Sequence, residues 1–87
     1  MNLHFSSSYI KAYQKIIKKR PRLHKKVKEK LKILKKNPRY SSLRLHKLEG
    51  SPHEDWSISI DKDMRILLSY AKDGIILVDI GKHDDIY

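Results

Sequence analysis

An α+β fold, with one short strand and a two-helix hairpin preceding a three- to four-stranded antiparallel sheet, is the class this sequence predicts. Two observations carry the prediction. Apolar residues recur every three or four positions as far as Asn37-Pro38, and from Leu43 onward they recur every second position. A third sets the scale: 87 residues leave room for a single domain spanning 1–87, because chains this short bury only about 60–65% of the surface they expose when unfolded.

Leu3 and Phe5 alternate with polar neighbours and predict the opening strand. Ser6, Ser7 and Ser8 offer hydroxyls that cap a helix, which is expected to begin near Ser8. Tyr9, Ile10, Tyr13, Ile16 and Ile17 form its apolar stripe, and Pro21 ends it. The same proline suits the first turn of a second helix, whose apolar positions Leu23, Val27, Leu31 and Leu34 run until Asn37-Pro38. Leu43 and Leu45, then Trp56, Ile58 and Ile60, alternate with polar residues as half-buried strands do. Asp61-Lys62-Asp63 reads as a turn, Met64 to Ala71 as a nearly continuous apolar strand, Asp73-Gly74 as a hairpin turn and Ile75 to Ile80 as a further strand. Both helices are expected on one face of the sheet.

Composition narrows function. The net charge of +10 favours polyanions or acidic protein segments as partners. Thirteen of the twenty Lys and Arg residues fall between Lys11 and Lys36, where Glu29 is the only acid. Such unpaired excess costs self-repulsion, so a docking surface for RNA is the favoured reading, with Lys25, Lys28, Lys32 and Lys36 its foremost candidates. No cysteine is present, so thiolate catalysis, disulfides and cysteine-based zinc sites are excluded. No apolar run approaches the roughly 20 residues that span a bilayer, and no secretory signal pattern opens the chain. A cytoplasmic protein without a membrane partner is expected. His83-Asp84-Asp85 is a poor metal site, since adjacent residues do not easily converge on one ion; neither metal nor cofactor is expected.

The order of elements, together with His46-Lys47-Leu48-Glu49-Gly50, Trp56-Ser57-Ile58-Ser59-Ile60, Met64-Arg65-Ile66-Leu67 and Gly81-Lys82-His83-Asp84-Asp85-Ile86-Tyr87, resembles the RelE/ParE toxin superfamily over essentially the whole chain. The specific signals are a Leu-x-Gly turn, a Trp-led strand, an arginine opening the next strand, and a terminal Gly-x-His-x-x-x-aromatic ending. That ending is most similar to the YafQ-like ribonuclease branch. The resemblance implies a RelE-like, microbial-ribonuclease-type fold and a toxin that cleaves mRNA in the ribosomal decoding site without a metal. It further implies a cognate antitoxin that wraps the toxin in an acidic or amphipathic segment. Carried over, His46, Arg65, His83 and Tyr87 form the catalytic set, and Lys47 and Lys82 join the helix lysines as RNA- or ribosome-binding candidates. Two departures stand out. Ser57 and Ser59 occupy strand positions where some RelE members carry lysines, and the histidine and Asp-Trp pair of YafQ-like proteins near Arg65 are missing.

The residue types suit the chemistry. Cleavage by the ribose 2′-hydroxyl needs a base, an acid and a cation for the crowded phosphorane. Histidine serves both proton-transfer roles near neutral pH. The roles implied are His83 as acid or base, His46 as its partner, Arg65 as a phosphate clamp with a planar fork of donors, and Tyr87 as an orienting or stacking group. Each has a plainer reading: His46 as a surface histidine, Arg65 paired with Asp61 or Asp63 across the turn, Tyr87 frayed, and Trp56 in the core. Two alternative functions share the fold: a ParE-like gyrase-binding toxin without nuclease activity, and an inactive member serving as a binding module.

Overall fold

The computed structural model describes residues 1–50 and 54–82. In chain order these form β1 (Asn2–Phe5), α1 (Ser7–Lys19), α2 (Leu23–Lys36), a 3₁₀ turn (Ser41–Leu43), β2 (His46–Lys47), β3 (Trp56–Ser59), β4 (Met64–Ala71) and β5 (Gly74–Lys82). The sheet order is β1-β5-β4-β3-β2. The four later strands are antiparallel, as the alternation predicts, and β1 joins them parallel to β5, with Asn2 opposite Gly74 and Phe5 opposite Leu77.

α1 starts one residue earlier than Ser8, because Ser6 is the cap: its Oγ accepts from the Tyr9 N–H at 3.0 Å. Ser6 and Ser8 also donate to the Val78 carbonyl at 2.9 and 2.8 Å, so the serine run ties the helix start to β5. Pro21 lies in the turn between the helices rather than inside α2, which begins at Leu23; Leu23 and His24 donate to the carbonyls of Arg20 and Pro21. Leu43 and Leu45 do not form a strand. Arg44 takes a left-handed conformation at φ 50° that no extended segment passes through. Leu43 instead reaches the core from the 3₁₀ turn, and the strand shrinks to His46–Lys47.

The core lies between the helices and one face of the sheet. Tyr9 from α1 and Leu23, Val27 and Leu34 from α2 pack with Ile58, Ile66, Leu68, Ile75, Leu77 and Ile80, all buried. Trp56 is half-buried against this cluster and meets Tyr70 edge to face at 5.6 Å, which supports its reading as core. Two glycines answer different demands. Gly50 has φ +77° with open space where a side chain would go, so backbone conformation selects it. At Gly74 a Cβ would stand 2.0 Å from the Asn2 carbonyl oxygen, so the close approach of β1 selects it.

A β-bulge governs the second half of β5. Leu67 pairs with Asp79 and Leu68 with Leu77, so Val78 is an extra residue on β5. Strict alternation from Ile75 and Leu77 would send Asp79 and Gly81 to the helical side. The bulge reverses this: Ile80 is buried in the core, and Asp79 and Gly81 align with the opposite face.

The hairpin between β3 and β4 is held by Asp61. Its Oδ1 accepts from the N–H groups of Asp63 and Met64 at 2.9 and 2.8 Å, and Oδ2 pairs with Arg20 of α1 at 3.2 Å. Burial works to raise the carboxyl pKa, but the two backbone donors and Arg20 outweigh it and hold the group below its ordinary value of 3.8. A depressed folded-state pKa gives stability that is present above the unfolded value and lost as pH falls through the folded one. Asp61→Asn is therefore expected to lower the urea midpoint at pH 7 and to flatten its fall below about pH 4. Parallel acid dependence in the two proteins would remove Asp61 from this role.

Candidate functional site

The face of the sheet turned away from the helices collects the expected site residues described. The register sets His46 opposite Ser57, Ser57 opposite Leu67 and Leu67 opposite Asp79, making one row. Ser59 opposite Arg65 and Arg65 opposite Gly81 make the next. Side chains of directly opposed residues share a face, and residues two apart on β3 share it too. His46 and Arg65 therefore lie on the same side of the sheet, on strands separated only by β3. The other two expected catalytic residues, His83 and Tyr87, lie outside the described residues, two and six positions beyond Gly81.

His46 is exposed, and its Nδ1–H donates to the Arg44 carbonyl at 3.2 Å. That bond assigns the proton of the neutral ring to Nδ1 and leaves Nε2 as the basic nitrogen. The left-handed Arg44 supplies this carbonyl, so the break in the predicted strand helps to orient the histidine.

Arg65 is half-buried, and its Nη1 is buried without a hydrogen-bond partner. The bland reading of Arg65 fails here: Asp61 is engaged by Arg20 and its own turn, and no ion pair between Arg65 and Asp61 or Asp63 forms. Leaving a buried donor unpaired costs about 1–3 kcal/mol, more for a charged group, so the position calls for an explanation. A ligand oxygen bearing negative charge is one, since guanidinium matches phosphate geometry with two parallel donors.

The lysines expected to bind RNA or the ribosome lie away from this face. Lys25, Lys28, Lys32 and Lys36 are all exposed and form one stripe on α2, roughly opposite the buried Leu23, Val27 and Leu34. That stripe is the outer surface of the helical layer, with the sheet between it and Arg65. Lys47 alternates with His46, faces the helical side and pairs with Glu54 at 3.6 Å. Lys82 lies opposite Met64 and lines a cleft beside α1. By register, Lys47 and Lys82 lie on the opposite side of the sheet from Arg65. Strand parity assigns Lys47 and Lys82 to that side, and the bulge at Val78 is what decides it for Lys82. Among the described residues no three His, Asp or Glu side chains cluster closely enough to hold a metal ion, and no helix is long and apolar enough to cross a membrane.

No protein-family model and no curated protein matches the chain. Solved structures do. YafQ from E. coli strain BL21(DE3) superposes with a TM-score of 0.82 at 17% identity, covering 99% of this chain and 97% of that one. The E. coli DinJ-YafQ toxin-antitoxin complex matches with a TM-score of 0.81 at 19% identity, covering 99% and 96%. The YoeB/ParE toxin from Agrobacterium tumefaciens matches with 0.78 at 18%, covering 95% and 99%.

The architecture is thus the one shared by small bacterial toxins of this α+β type. More particularly, it is the RelE/YafQ-like toxin fold, matched from end to end.

Proposed function

We propose that this protein is the toxin of a toxin–antitoxin pair and an endoribonuclease that cleaves mRNA on the ribosome. The observation that carries the reading is the buried, unpartnered guanidinium nitrogen of Arg65 on the same face as His46. In this reading Arg65 binds the scissile phosphate and stabilises the charge that gathers on its oxygens. A histidine removes the proton of the 2′-hydroxyl, the oxygen attacks phosphorus, and the bond to the 5′-oxygen breaks as a second group protonates it. The products are a 2′,3′-cyclic phosphate and a free 5′-hydroxyl, with no metal in the scheme. His46 and His83 share the proton transfers and Tyr87 orients the RNA. The exposed lysine stripe on α2 engages ribosomal RNA elsewhere, and the partner that restrains the toxin is a cognate antitoxin. The DinJ-YafQ toxin-antitoxin complex, similar in fold, supports that last element.

The test is cleavage of mRNA in a purified translation system. His83→Ala is expected to abolish cleavage while the far-ultraviolet spectrum and melting temperature stay unchanged, and His46→Ala to lower it by roughly 10²–10⁴-fold, the range of one general acid or base. Full activity in His83→Ala would refute the assignment. Intact mRNA beside trapped gyrase–DNA complexes would select the gyrase-binding reading. Expression with and without the product of the adjacent gene tests the pairing: arrest of growth, relieved by co-expression, is expected.

A further inference from the structure

We infer that the groove between α1 and α2 takes an unpaired base of single-stranded RNA, stacked on its aromatic wall. Four rings run in line across the helical layer. Phe5, at the end of β1, lies 5.8 Å from Tyr9; Tyr9 lies 5.8 Å from Tyr13 and is nearly parallel to it at 22°; and Tyr13 meets His24 of α2 edge to face at 6.0 Å. The Tyr13 hydroxyl is also hydrogen-bonded to His24 Nδ1, which fixes the two rings against each other across the hairpin. Tyr9 is buried, but Phe5 stays 50% exposed and Ile10, which lines the same groove, 44%. Large apolar side chains left open side by side mark a binding surface.

The groove measures about 470 Å³, and Val27 and Leu31 complete its apolar lining. Gln14 and His24, both exposed, supply it with groups that hydrogen-bond a base edge. Lys28 stands on the rim, and Lys25 and Lys32 lie one turn to either side of it along α2, about 4.5 and 6 Å away along the helix axis. Glu29 is the only acid in either helix, so the field around the groove attracts polyanions. Rings interleaved with cations are what single-stranded RNA requires: stacking accepts any base, and the lysines follow the backbone. The sheet separates the groove from Arg65, so the base it holds belongs to a different stretch of RNA from the one at Arg65. The inference rests on the proposed engagement of ribosomal RNA by the α2 lysines only for the source of that RNA, and its test needs no nuclease activity.

The probe is a 2′-O-methyl oligoadenylate, which lacks the attacking hydroxyl and so is not cut, added to the ¹³C-labelled full chain. Shifts of the Phe5, Tyr13 and His24 ring signals are expected. Phe5→Leu, at an exposed position, keeps apolar surface but removes the ring; it should weaken binding about tenfold, within the range of one stacked base, and Phe5→Trp should restore it. Lys28→Gln should also weaken binding and lower the slope of log affinity against log salt by about 0.7, the share of one phosphate on a single strand. An oligomer of the same length and charge without bases should bind at least tenfold more weakly. Equal binding of the abasic oligomer, full affinity in Phe5→Leu, or equal shifts with adenosine monophosphate at the same concentration would each overturn the inference. So would ring shifts produced by an acidic amphipathic helical peptide and not by the oligomer. A chain that leaves mRNA intact yet shows these shifts would refute the nuclease and leave the groove assignment standing; one that cuts mRNA without them would do the reverse.

Discussion

Replacing Arg65 with methionine is expected to raise the melting temperature while cutting RNA cleavage by about 10²–10³-fold, the cost of losing one preorganised donor to a developing oxyanion. The two effects share a cause. Nη1 is buried and unpaired, so the folded protein bears a desolvation cost that a bound phosphate would offset. Methionine keeps much of the aliphatic stem and removes that cost, and exchanging a poorly satisfied buried cation for an apolar group is often stabilising. A gain of up to about 1 kcal/mol is expected, which in a domain of this size shifts the midpoint by about 4–8 °C. Arg65→Lys, which retains charge but loses the planar fork, should keep part of the activity. A lower melting temperature with cleavage intact would make Arg65 a structural residue and remove the central cation from the proposed mechanism.

Gly74→Ala is expected to be strongly destabilising. The added carbon would stand 2.0 Å from the Asn2 carbonyl oxygen and 2.8 Å from two further Asn2 backbone atoms. Backbone cannot rotate aside as a side chain can, so β1 must move. Its displacement would also disturb the Asp73 carboxylate, which accepts from Asn2 at 3.1 Å and from His4 at 3.0 Å and is held below its ordinary pKa by those two bonds. A loss of about 2–4 kcal/mol follows, read as a fall of on the order of 10 °C or more in the melting temperature. An unchanged midpoint would mean that β1 is not held against β5 at this distance.

The elements with strong periodicity were legible in the sequence. Leu23, Val27 and Leu34 do face the core, and Ile58 and Ile66 do define the buried side of the sheet, because burial of an apolar face enforces the period that reveals it. Three features were not legible. The left-handed Arg44 carries no glycine or asparagine signal, so Leu43 and Leu45 read as a strand. The bulge at Val78 sits inside an unbroken apolar run, where one added residue leaves no mark on composition yet reverses which side Asp79, Gly81 and Lys82 meet. The lysine stripe of α2 was recognisable as exposed, but only the register reveals that the sheet separates it from Arg65. The cross-strand company of His46 and Arg65 was expected from the resemblance rather than from spacing, since nothing in the intervals between residues 46, 57 and 65 specifies a common face.

The pairing of the first strand with the fifth has a consequence for how the molecule comes into being. Asn2 and Gly74 lie 72 positions apart, so β1 and the lysine-rich hairpin leave the synthesising ribosome before the segment that completes their sheet has been translated. Closing so long a loop is entropically costly and slow. Until it closes, Leu3, Tyr9 and Ile16 lack their mates Ile75, Leu77 and Ile80, and the late-made strand that should align with Arg65 has not docked. Burial of the helical faces is thereby deferred until the fifth strand has been made, so the apolar stripe of the hairpin stays exposed for most of the time the chain is being built.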